Sequence, residues 1–109
     1  MRLVLGLLAL LAAGSAAQAA CFEDLGRTGC TDRETFPVRD LRRLSCGNLW
    51  LVRNTIYDEN GLCFRTDRAL EVFDNADCYV KNPGNVRLNS YERGNVNRIV
   101  QVEREKGCR

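Results

Sequence analysis

The chain has 109 residues, 16 basic and 14 acidic, six cysteines and no histidine. A net charge of +2 with no basic stripe excludes the electrostatic footprint of a nucleic-acid binder and gives no support for charge-driven attachment to a membrane. Without histidine there is no common general base at neutral pH, no Ser–His or Cys–His pair and no His-ligated metal. The chain is therefore read as non-enzymatic, with no cofactor and no metal.

Residues 1–20 read MRLVLGLLALLAAGSAAQAA, with one basic residue, an apolar run from Leu3 to about Ala13, and Ala17-Gln18-Ala19 at the end. That is the build of a cleavable export signal over 1–19. The apolar run is shorter than the roughly 20 residues a membrane span needs. A lipoprotein signal is the rival, because Cys21 follows Ala20. Against it, Gln18 stands where a lipobox wants Leu, and lipidating Cys21 would leave five cysteines, an odd number. The protein is expected in the periplasm or outside the cell, where cysteines serve as staples. The remaining chain is one domain, and a domain of this size buries only about 60–65% of its unfolded surface. Three disulfides, each worth about 2–4 kcal/mol, would secure it.

Residues 20–37 are polar and turn-rich and predict an irregular N-terminal extension. Val38, Leu41 and Leu44 then mark one short amphipathic turn or helix. Ser45 is an N-cap for a helix over 46–59, with Leu49, Val52, Arg53 and Ile56 on one face and Gly61 as its stop. Leu62 to Phe64 predicts an extended link. Thr66 or Asp67 can cap a second helix through about Phe73, with Leu70 and Phe73 inward. Cys78, Tyr79 and Val80 return to the core, and 81–87 is loop. Asn89 followed by Glu92 is a capping box for the last helix, with Tyr91, Asn95, Ile99 and Val102 as its buried stripe and Gly107 as its end. The fold expected is mainly α, about three helices stapled by disulfides.

Cys46 and Cys63 flank a helix about 18–20 Å long, too far apart for a bridge at 1.5 Å rise per residue. Cys63–Cys78 flanks a shorter helix, which leaves Cys46–Cys108 and Cys21–Cys30. The pairing Cys46–Cys78 with Cys63–Cys108 remains open on sequence grounds.

From Leu41 to Phe64 the pattern is L-x-x-L-S … L-x-x-x-R-N-x-I-Y-x-x-x-G-x-x-F, carried by Leu44, Ser45, Leu49, Arg53, Asn54, Ile56, Tyr57, Gly61 and Phe64. It resembles the YARHG domain, a small module of exported bacterial proteins. Phe73 and Tyr79 match later aromatic positions, and Leu88, Glu92 and Asn95 match the opening of its last helix. The resemblance covers about 38–106, so 38–109 is read as a YARHG-like helical domain. At the signature itself the chain has Tyr57-Asp58-Glu59-Asn60-Gly61, with Glu59-Asn60 in place of the family's Arg-His pair. The resemblance implies an extracytoplasmic binding or cell-envelope module and no particular activity.

Arg53 and Asn54 sit mid-helix among apolar positions. One reading makes Arg53 half of an ion pair with Glu71 or Glu92, and bonds Asn54 to the backbone of 62–64 or 78–79. The other makes them the floor of a carboxylate- or sugar-binding cleft, with Trp50 and either Tyr57 or Tyr79 stacking a sugar ring. Asp58 and Glu59 alone are too few for a calcium loop. Three functions follow: a binding module for a cell-wall glycan or an envelope protein; an inhibitor of a lysozyme or protease acting through loop 81–87; and a cell-wall hydrolase running on two carboxylates.

Overall fold

The computed structural model describes residues 21–109; the expected export signal lies outside them. Four α-helices occur among the described residues: α1 (Val38–Arg42), α2 (Cys46–Glu59), α3 (Asp67–Leu70) and α4 (Ser90–Lys106), with a 3-10 turn at Pro83–Asn85. β pairing among the described residues is limited to two isolated bridges, Cys21 with Cys30 and Leu62 with Val80.

The two long helices begin where their caps dictate. Ser45 Oγ accepts from the Asn48 N–H at 3.1 Å. Asn89 and Glu92 exchange side-chain and backbone bonds, each at 2.8 Å, closing the capping box of α4. Each helix presents a stripe at three- and four-residue spacing: Leu49, Val52 and Ile56 from α2, and Asn95, Val96, Ile99 and Val102 from α4. These stripes pack against each other and, with Leu41 of α1, form the main core.

The segment before α1 is irregular, as expected, and it also belongs to this core. Leu25 and Phe36 are buried in it. Asn95, fully buried, holds the segment in place: its Oδ1 accepts from the Phe36 N–H at 2.7 Å, and its Nδ2 donates to the carbonyls of Thr31 at 3.0 Å and Glu34 at 2.9 Å. One side chain thus satisfies backbone groups that an irregular buried strand could not satisfy itself. Further out, the Glu34 carboxylate accepts from the amides of Arg27, Thr28 and Gly29 and from the Thr28 hydroxyl. With the Thr28 hydroxyl contributing most, these donors pull the Glu34 pKa down to about 2.

A second, smaller core lies beyond α2, made of Leu62, Phe64, Ala69 and Phe73 with Trp50, Leu51 and Val86 against it. Phe64 and Phe73 stack with ring centroids 4.8 Å apart. Asn75 clamps the link as a strand partner would, accepting from the Phe64 N–H at 3.0 Å and donating to its carbonyl at 2.8 Å. Tyr57 touches both cores.

The three bridges are Cys21–Cys30, Cys46–Cys108 and Cys63–Cys78, with Cα separations of 3.9, 5.4 and 5.0 Å. The first-preferred sequence pairing is the one present.

Several expected placements are corrected. Helix α3 stops at Leu70, after Thr66 Oγ1 caps the Ala69 N–H, so Leu70 faces solvent while Phe73 turns in. Tyr79 is 76% exposed, because its backbone rather than its ring returns to the link: its N–H and that of Val80 both donate to the Gly61 carbonyl at 2.9 Å. Tyr91 is also exposed, and the inward position of the first turn of α4 goes to Glu92.

Candidate functional site

Helix α2 carries Trp50, Arg53 and Asn54 along the side that faces the 62–66 link. With Leu62, Phe64, Arg65, Ala69, Lys81 and Pro83 they line a groove of about 280 Å³. Tyr57 lies elsewhere, in a broader cavity of about 560 Å³ between the 83–88 loop and α4. Tyr79 lies in a third, of about 450 Å³, beside Asp58, Glu59, Asp74 and Asp77. Of the five residues singled out for a ligand, the fold therefore brings three together and sends the two tyrosines to different places.

Arg53 is an ion-pair residue, and its partner is neither Glu71 nor Glu92. Its Nε and Nη2 meet Glu103 of α4 at 2.9 and 3.1 Å, a bidentate fork across the two long helices. Glu92 instead serves its own helix cap and accepts from Asn60 Nδ2 at 3.0 Å. Asn54, only 8% exposed, donates from Nδ2 to the Trp50 carbonyl one turn back at 2.9 Å, rather than to the link or to Cys78–Tyr79. No donor among the described residues reaches its Oδ1. Trp50 is also engaged: the Arg68 guanidinium lies 3.9 Å from its ring centroid and Phe73 lies against it at 6.0 Å.

The rim of the small groove is cationic. Arg65 and Lys81 are exposed, and none of the ion pairs among the described residues uses them. Sequence reasoning did not join these two residues. The signal was present, because a Cys63–Cys78 bridge sets residues 65 and 81 on neighbouring stretches of chain. Across the link the charge has the opposite sign. Burial raises the Asp58 carboxyl above its usual range, and the Asp74 carboxylate adds to the shift.

The signature positions serve backbone and packing. Asn60 donates to the Ile56 carbonyl at 2.7 Å as well as to Glu92. Gly61 has φ +93, and a Cβ there would stand 2.4 Å from the Tyr79 ring, so only glycine fits both the conformation and the space.

These features define a small, mainly α-helical domain stapled by three disulfides, with one groove against the 62–66 link and further cavities elsewhere on its surface. The family model that matches the chain is the YARHG domain, over residues 28–104, and the chain belongs to that family. The match begins inside the irregular N-terminal segment, in keeping with that segment's place in the core. No curated protein and no solved structure matches the chain. Among the described residues, no helix is long and apolar enough to cross a membrane.

Proposed function

We propose that the protein is an exported binding module of the bacterial cell envelope, and that its ligand seats in the groove between α2 and the 62–66 link. The observation that carries this reading is the groove's unused polarity. Arg42 and Arg53 are held by Glu105 and Glu103, and Asn95 by three backbone groups. Arg65 and Lys81, by contrast, stand around a buried amide with polar capacity to spare. Polar groups left unmatched in a concave, partly apolar setting suit recognition. Three disulfides suit an oxidising compartment, and the export signal expected over 1–19 suits delivery to the periplasm or beyond.

The test is sedimentation of the oxidised chain from Ala20 onward with insoluble peptidoglycan. Saturable binding that survives Arg53→Met but is lost in the Arg65→Glu, Lys81→Glu double variant is expected. Arg53 takes no part in this binding, because its fork is occupied by Glu103. Absence of binding by the wild-type chain would remove the reading.

A second reading, inhibition of an exported lysozyme or protease, draws on one feature. The exposed loop at Pro83–Asn85 is pre-formed as a 3-10 turn, with Asn82 Oδ1 accepting from the Gly84 N–H at 2.9 Å. A loop already ordered loses little entropy on docking. Stoichiometric inhibition abolished by altering Pro83 and Gly84 is its signature.

A further inference from the structure

The groove's lining combines groups that fit one ligand chemistry. The buried Asn54 has committed one Nδ2 hydrogen to the Trp50 carbonyl, which leaves the Oδ1 acceptor and a second N–H. A primary amide with one acceptor and one donor remaining is complemented by another amide. The walls are apolar, from Leu62, Phe64, Ala69 and Pro83. At the rim stand the cations Arg65 and Lys81, exposed and outside every ion pair among the described residues. The space of about 280 Å³ is just below the range of about 300–1,000 Å³ typical of small-molecule sites, room for two small residues but not for an oligosaccharide.

An amide, a short aliphatic side chain and an anion, in that sequence, make up the end of a peptide. We infer that the groove takes the free C-terminus of a peptide with small aliphatic final residues. The last amide pairs with Asn54, the side chain rests against Leu62 and Phe64, and the α-carboxylate meets Arg65 and Lys81. An acidic sugar would share the carboxylate. Its ring, however, would need an open aromatic platform, and the indole of Trp50 is already covered by Arg68. The inference rests on the binding reading above and narrows its ligand.

The experiment titrates the ¹⁵N-labelled oxidised protein with N-acetyl-alanyl-alanine, with the C-terminal amide of the same dipeptide, and with glucuronic acid. The free acid is expected to move the Asn54 side-chain amide and the Phe64 and Arg65 backbone amides saturably. Its amide should bind about tenfold more weakly, the scale of one charge-assisted contact. Lys81→Glu, a change at an exposed side chain, should weaken the acid by a similar factor and narrow its advantage over the amide. Equal binding of acid and amide, preference for glucuronic acid, or no shift by any of the three would overturn the inference. If the chain sediments with peptidoglycan while the dipeptide causes no shift, the inference alone fails. If neither occurs, the binding reading fails with it.

Discussion

The two cores of this protein treat polar groups in opposite ways. Around the larger one, formed by α1, α2, α4 and the segment before them, most polar side chains are absorbed by the fold, with the buried Thr31 hydroxyl and one Asp32 carboxylate oxygen as exceptions. Asn95 meets three backbone groups, Glu34 is wrapped by the 27–29 turn, Arg53 and Arg42 are forked onto α4, and Arg98 Nη1 donates to the Phe36 carbonyl at 2.8 Å. Around the smaller core the stapled link is held by Asn75 and a disulfide, while the charges beside it are left outward. Arg65 and Lys81 face solvent on one flank, Asp58 is crowded by Asp74 on the other, and Leu70, Val72 and Tyr79 are exposed. A fully matched network rigidifies; an unmatched one has capacity left for a partner. On the proposed reading, the first region is scaffold and the second is the place to look for recognition.

The largest expected effect that would break this comparison comes from Asn95→Ala. It strands the Phe36 N–H and two carbonyls in a buried setting, and at about 1–3 kcal/mol for each unsatisfied group the summed loss should be about 4 kcal/mol in denaturant unfolding. A loss under about 1 kcal/mol would mean that water replaces the side chain, and that the segment is less integral than described.

Next, replacing Cys63 and Cys78 together by Ser should cost about 3 kcal/mol, the value for a loop of about 15 residues. The sharper readout is hydrogen exchange. Amides of 62–80 should lose protection while those of α4 keep theirs, because α4 packs on the other core. Uniform loss across both regions would show one cooperative unit and dissolve the distinction.

The smallest effect is one of pH, and its sign differs between the regions. Glu34 has its folded pKa lowered from 4.5 to about 2, so its contribution is fully present above the ordinary carboxylate range and is lost as pH falls toward 2. Asp58 is raised, so its contribution is fully present below the ordinary range and lost as pH rises through its elevated value. The Thr28 and Gly29 amide resonances should titrate with a midpoint near 2. The Asp58 side chain should titrate above a normal aspartate. A Glu34 midpoint at the usual carboxylate value would show that the 27–29 turn does not hold it in solution.

Much of the scaffold was legible in the sequence because its causes are local. Ser45, the Asn89–Glu92 box and the stripes of α2 and α4 all act within a few residues, and helix length alone ruled out a Cys46–Cys63 bridge. What stayed hidden depends on distant partners. Glu103 lies 50 residues from Arg53, and nothing in the local pattern of either marks the pair. The irregular segment before α1 has no periodicity to announce that Phe36 is buried; Asn95, 59 residues away, supplies the reason. Leu70 was misplaced because α3 ends after a single turn, too short for periodicity to decide a face. The groove was half legible. Asn54 and Trp50 stood out as polar and aromatic residues on α2, while Arg65 and Lys81 acquire meaning only once the link folds back.

The order of the bridges along the chain has a consequence for survival among proteases. The Cys63–Cys78 ring is nested wholly inside the ring closed by Cys46–Cys108, which spans 62 residues. One backbone cut anywhere from 46 to 108 therefore leaves the polypeptide in a single covalent piece. A cut within 63–78 is doubly retained, and the severed ends stay beside each other. Only between Cys30 and Cys46 can a single cut divide the described chain into two substantial parts, and Asn95 pins the backbone over the first third of that stretch. For a domain stapled in this way, a nick is thus a scar rather than a loss.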